Sequence, residues 1–265
     1  MRIYGVDFTC APRKAKPITV ACGFLKGKTL SIDSIEKLHD FAAFEAFLAR
    51  PGPWLGGFDF PFSLPHELVR DLGWPREWKA LIAHCTAMPR LVFRKALDEY
   101  RNSRPVGRKY AHRATDYPAG SSSPMKLVNP PVALMFHEGA PRLAAAGLNI
   151  PHLHETDSSR VGLEAYPGLL VRGQLGIRAS YKSDTRAEHT PARRAVRRRI
   201  AEALAAGKPL GITLRMDKRL LVNDGSGDLL DAVVCAVQAA WAARQPDYGF
   251  PPEAAGGEGW IVTSR

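Results

Sequence analysis

The run GDLLDAVVCAVQAAWAA, residues 227–243, leaves this chain few ways to fold. It reads as a helix that is apolar nearly all round, interrupted only by Asp228, Asp231 and Gln238. Such a helix has to be covered on most of its sides, so it is expected deep in the molecule, packed against a sheet. Asp228 and Asp231, three residues apart, fall on one side of its start.

The sheet is read from the other end of the chain. Residues 2–9 alternate as a strand, with Ile3, Gly5, Asp7 and Thr9 on one face and Tyr4, Val6 and Phe8 on the other. Residues 18–25 and 29–33 form two strand-like runs around Lys26–Lys28, a hairpin signal. Apolar spacing predicts a helix over 35–49, stopped by Arg50-Pro51-Gly52-Pro53. Trp54–Phe60 then reads as a short strand ended by Pro61; the helix before it implies a crossover, which sets this strand parallel to the first. Helical patterns follow at 63–72, 76–86, 90–101 and 132–147, around a polar, basic stretch at 102–126, so residues 63–155 read as a mostly helical insertion. VGLEAY (161–166) returns as a strand. Thr190-Pro191 opens a helix that Gly207 ends, and GWIVTS (259–264) closes the chain in strand-like form.

The chain has 265 residues, 45% apolar and 24% charged, as in an ordinary globular protein, and is expected to form one domain carrying the insertion. No apolar run of about 18 residues predicts a membrane span, and the N-terminus has no apolar signal segment. Cys10, Cys22, Cys85 and Cys235 are scattered without a CxxC, which suggests neither a zinc site nor a disulfide framework and fits a reducing cytoplasm. The absence of GxGxxG and GxxxxGK[ST] argues against a dinucleotide cofactor or a P-loop. The net charge of +11 is segregated: residues 76–126 carry +7 and residues 172–219 carry +9. Clustering of this kind favours a polyanionic partner such as DNA or RNA, although a solvated basic face would look the same. Arg113, Lys182, Arg186, Arg193, Arg194, Arg197 and Arg198 are the cations expected to meet phosphate. Arg113 and Asp116 are expected to pair near the acidic crevice.

Five acids stand out. Asp7 lies in the first strand, Asp59 sits between two phenylalanines in GGFDFPF (56–62), and Glu164 lies in the third parallel candidate. Asp228 and Asp231 open the last helix. Groups at the carboxyl ends of neighbouring parallel strands converge on one crevice, where the helix start could add its own acids. So many like charges repel unless a hard cation takes their oxygens; Mg²⁺ or Mn²⁺ would do so, and a pair of such ions would support phosphodiester cleavage. Each acid also has a plain reading: Asp59 capping the turn at Pro61–Leu64, Glu164 capping the following helix, Asp228 as an N-cap, Asp224 in NDGSG as a turn former. HLHE (152–155) offers two histidines without a third ligand and reads as a surface loop.

GVDFT (5–9), GFDFPFSLP (57–65), RATD (113–116), EAYP (164–167), DLLDAVVCAVQAAW (228–241) and EGWIV (258–262) together resemble, in order, the family called domain of unknown function 429. The resemblance implies an α/β, ribonuclease-H-like fold: a mixed five-stranded sheet, three strands antiparallel and then two parallel, flanked by helices. It implies a metal-dependent nuclease, with Asp7, Asp59 and Asp231 as metal ligands, Asp228 as an auxiliary acid and Glu164 as a further candidate. Two other functions fit the same residues: a nucleic-acid-binding module without turnover, and an ATP-dependent phosphotransferase, for which the turn at Lys26–Lys28 is short and poor in glycine.

Overall fold

The computed structural model describes residues 1–264. Its centre is a six-stranded mixed sheet built from β1 (Arg2–Asp7), β2 (Ile18–Lys26), β3 (Thr29–Leu38), β4 (Trp54–Phe58), β5 (Arg160–Glu164) and β6 (Thr213–Arg215), in the order β5-β4-β1-β2-β3-β6. The first three strands run antiparallel to one another in sequence; β4 is parallel to β1, β5 to β4 and β6 to β3. The expected five strands are thus six, because Thr213–Arg215 adds a three-residue strand to the β3 edge.

Nine α-helices accompany the sheet among the described residues: α1 (Phe41–Leu48), α2 (His66–Asp71), α3 (Trp78–Ala87), α4 (Arg90–Ser103), α5 (Asp116–Ala119), α6 (Val132–Ala145), α7 (Pro191–Ala205), α8 (Lys218–Asn223) and α9 (Asp228–Ala242). Residues 63–155 hold α2 to α6. No described helix is long and apolar enough to cross a membrane. All four cysteines are buried and free.

The helix expected over 35–49 begins late. Asp33 is the extra residue of a bulge, since Cys22 pairs with Ser34 while Gly23 pairs with Ile32. A bulge resets the two-residue alternation, so Ile32 and Ile35 share a sheet face at a spacing of three and imitate a helix. The helix proper starts at Phe41, where the Asp40 carboxylate accepts the Ala43 N–H at 2.8 Å. Thr190 caps α7 in the same way, through Arg193 N–H. The tail forms no strand; a single bridge joins Ile261 to Glu164.

Each sheet face carries its own core. Tyr4, Val6 and Phe8 join the aromatic side with Phe44, Phe47, Trp54, Phe58 and Phe60, under α1 and the insertion helices. Ile3, Ala21, Leu55 and Leu163 join the other side with α7 and α9. Every residue of α9 from Leu230 to Ala242 is buried, and each Val or Leu so covered contributes roughly 1.5–3 kcal/mol relative to exposure. Gln238 is tolerated there because its amide donates to Thr263 Oγ1 at 3.0 Å and its oxygen accepts from Tyr166 N–H at 3.2 Å. The helix lies unusually close to the strands. A Cβ at Gly5 would sit 2.0 Å from the Ala232 carbonyl oxygen, and one at Gly57 would sit 2.5 Å from that of Cys235. Those two glycines, at one register position of β1 and β4, let the start of α9 reach the carboxyl ends of both strands.

Candidate functional site

Register places the first two acids. Ile3 pairs with Leu55 and Gly5 with Gly57, all four facing α9, so the next residues on that face are Asp7 and Asp59. Asp59 N–H donates to Val6 O at 2.9 Å, extending the pairing one step past Phe58. Asp59 therefore does not share the apolar environment of its neighbours: Phe58 and Phe60 point to the opposite face, where both pack on each other and Phe60 on Phe8. Asp231, in the first turn of α9, completes the group, and one oxygen from each of Asp7, Asp59 and Asp231 lies within 4.8 Å of the other two.

Asp231 is fully buried and has two donors. Tyr181 O–H donates to its Oδ1 at 2.5 Å, and the Lys182 ammonium donates to its Oδ2. No hydrogen bond reaches the Asp7 or Asp59 carboxylate among the described residues. The electrostatics follow from this imbalance. Burial, then the Asp231 and Asp228 charges, hold the Asp7 carboxyl well above the usual carboxylate range. Burial and the Asp231 charge push Asp59 up to about 7. Burial alone would lower Lys182, but Asp231, Tyr181 and Asp7 keep its ammonium charged well beyond the ordinary lysine range.

An acid whose folded-state pKa lies above its unfolded value near 4 stabilises the fold below that value, and the contribution is lost as pH rises through the folded pKa. For Asp59 that window runs from about pH 4 to about pH 7. Without divalent metal, Asp59→Asn is expected to gain melting temperature on the wild type as pH is raised from 5 to 8. Parallel curves across that range would show that Asp59 is not under electrostatic strain.

The other two acids stand apart. Asp228 accepts from Lys16 Nζ at 2.7 Å, and the same ammonium holds Asp184 at 2.7 Å, so Asp228 lies beside the three-acid group and outside it. The N-cap of α9 is Gly227, at φ 81°, and the Asp224 carboxylate accepts the Leu229 N–H at 2.9 Å. Glu164 lines the same cleft but lies outside the three-acid group. It pairs with Phe58 rather than Asp59, and with Leu163 facing α9 its side chain points to the far face. There it is held by Arg113, at 2.6 and 2.7 Å, and by the Phe62 N–H at 3.1 Å. Burial pushes this carboxyl up while Arg113 pulls it down, and the bidentate geometry is that of a carboxylate.

Two expected phosphate contacts are structural instead. Arg113 is 1% exposed and spans Glu164 and Asp116. Arg197 is 2% exposed, donating to Val222 O at 3.0 Å and Tyr181 O at 2.7 Å, so it clamps the segment that carries Lys182. Arg186, Arg194 and Arg198 are exposed, while Arg193 pairs with Glu188 at 2.7 Å. Arg194 and Arg198 line a small groove of about 210 Å³ with Lys218 and Arg219, away from the acids. The acids open instead into a cleft of about 910 Å³ whose basic lining includes Lys16, Lys126, Arg172, Arg178 and Lys182. Lys182 is anticipated by the sequence, as is the buried Arg113 that also borders the cleft; Lys16, Lys126 and Arg178 sit singly in loops, and Arg172 lies in a short helical segment, Leu169–Gln174. The HLHE histidines diverge, His152 to Asp247 at 2.6 Å and His154 stacked on Trp78.

A mixed α/β sheet with three aspartates at the base of a cleft lined by lysine and arginine defines the class of site. The chain belongs to the family described as protein of unknown function (DUF429), which matches residues 5–255. Comparison with curated proteins and with solved structures finds no match.

Proposed function

We propose that this chain is a divalent-metal-dependent nuclease of ribonuclease-H-like fold, cleaving phosphodiester bonds of nucleic acid with weak sequence specificity. One observation carries the reading: Asp7 and Asp59 lie side by side at the ends of adjacent parallel strands, opposite Asp231, with no protein donor for either strand acid among the described residues. Three carboxylates form the all-oxygen set that suits Mg²⁺ or Mn²⁺, and the two undonated ones are the groups a cation would satisfy. Asp7, Asp59 and Asp231 would hold the metal, which would supply Lewis-acid activation of water and stabilisation of the leaving oxygen. Five of the six strands, three antiparallel and two parallel, have the arrangement the family resemblance implies.

The chain's own residues supply binding and orientation. Lys126, Arg172 and Arg178 line the cleft where backbone phosphates would pass, and such contacts fix position without reading bases. Asp228, tied to Lys16, holds the start of α9 and the β1–β2 connection together beside the acids. Incubation with single-stranded, duplex, branched and hybrid substrates is expected to show cleavage of at least one class with Mg²⁺ or Mn²⁺, and none with EDTA. Salt-sensitive binding without cleavage of any class would replace the nuclease by a binding module. Calorimetric ATP binding would favour the phosphotransferase.

A further inference from the structure

Lys182 combines a fixed root with a half-exposed side chain. Its backbone neighbours are pinned on three sides: Tyr181 O accepts from Arg197, Tyr181 O–H donates to Asp231, and Ser183 N–H donates to Gly225 O at 3.2 Å. A Cβ on Gly227 would lie 2.5 Å from Lys182 Cβ, so only glycine lets this segment sit against the start of α9. The Lys182 side chain itself is 45% exposed and runs along the cleft to end on Asp231 Oδ2.

The two oxygens of Asp231 are therefore unequal. Oδ1 is held by a buried phenol that has nowhere else to go. Oδ2 is held by an ammonium on a flexible, half-exposed stem, and it is the oxygen open to exchange. Lys16 differs, because its ammonium bridges Asp184 and Asp228 and touches none of the three clustered acids.

We propose that Lys182 is an exchangeable counter-ion: its ammonium offsets the Asp231 charge within the three-acid group while no metal is bound, a divalent cation displaces it from Asp231 Oδ2, and the released head meets a phosphate oxygen of the substrate. The inference rests on the metal-holding reading of Asp7, Asp59 and Asp231. It makes Lys182 a competitor of the cation and a partner of the substrate, and it explains how three carboxylates coexist before metal arrives. A site occupied by its own lysine binds metal with an apparent affinity reduced by the fraction of time it is free.

Mn²⁺ titration, read by the electron paramagnetic resonance of the unbound ion, tests this on the full chain. Lys182→Met is expected to bind Mn²⁺ about tenfold more tightly than the wild type. Lys126→Met, which removes the same charge from the cleft wall without touching Asp231, is expected to stay within about twofold. The metal-free Lys182→Met protein should melt below the wild type, and the gap should close at saturating Mn²⁺. Lys182→Gln serves if the methionine variant does not fold. Equal or weaker Mn²⁺ binding in the Lys182 variants, with the wild type binding normally, would overturn the counter-ion role alone. No Mn²⁺ binding by the wild type would overturn the metal reading and this inference together.

Discussion

Asp7→Asn is expected to reduce metal-dependent cleavage by on the order of 10³-fold while leaving the metal-free protein at least as stable as the wild type. The two halves of that result belong together. Asp7 accepts no hydrogen bond among the described residues and lies within 4.8 Å of two other carboxylates, so its charge works against the fold. The amide keeps the shape and removes the repulsion, as expected where function is retained at the expense of stability. A carboxylate kept for structure would behave in the opposite way, since losing it would orphan its donors. Melting curves in EDTA and in Mg²⁺ separate the cases: Mg²⁺ should raise the wild-type midpoint, by binding only the folded state, and leave Asp7→Asn unmoved. A variant that cleaves at the wild-type rate would remove Asp7 from the chemistry.

The three clustered acids were legible because each sits where an acid is unwelcome: mid-strand at Asp7, between aromatic residues at Asp59, inside an apolar helix at Asp231. Glu164 satisfied the same criterion and reaches the same cleft, but from the other sheet face and outside the three-acid group. What decides its direction is parity: Leu163 and Ala165 flank it on the α9 side, and a strand cannot turn three consecutive side chains the same way. That parity was present in the sequence, but choosing which face was which required knowing that β5 pairs with β4 at Phe58–Glu164. The bulge at Asp33 hid the second half of β3, beyond the strand expected at 29–33, for a related reason, since one inserted residue turns a spacing of two into three.

The arginines were harder to place. A basic run is by default a solvated face, and Arg194 and Arg198 follow that rule. Arg197 breaks it because its two acceptors are carbonyls on other segments, Val222 and Tyr181. Arg113 breaks it through Glu164, fifty-one residues away. Long-range pairing of this kind leaves no local trace. The cations that line the acidic cleft, Lys16, Lys126, Arg172 and Arg178, come from three separate segments, so charge counting by windows could find an excess of positive charge but not its focus.

Arg113→Met should cost about 3–5 kcal/mol of stability, the range for breaking a buried ion pair by removing one partner. Glu164 is 4% exposed and Asp116 2%, so neither carboxylate can turn to water when the guanidinium is gone. The damage reaches further than one pair, because three distant motifs meet on this residue. Arg113 also donates to Glu258 O at 3.4 Å, Ala114 N–H to the Glu258 carboxylate at 3.1 Å, and Ile261 N–H to Thr115 Oγ1 at 3.0 Å. RATD, EAYP and EGWIV are thus one cross-link between the insertion, β5 and the tail, in the cleft wall that also carries Ser121, Ser122 and Lys126. Arg113→Lys should recover little, since one ammonium cannot grip two carboxylates in the forked geometry. In the methionine variant Glu164, pushed up by burial and no longer pulled down by Arg113, would keep a folded-state pKa above its unfolded one; the deficit should therefore shrink below about pH 4 and widen as pH rises toward neutrality. Urea unfolding at pH 4 and pH 7 measures both numbers. A variant as stable as the wild type that binds nucleic acid more weakly would make Arg113 a phosphate contact after all, and the cross-link incidental.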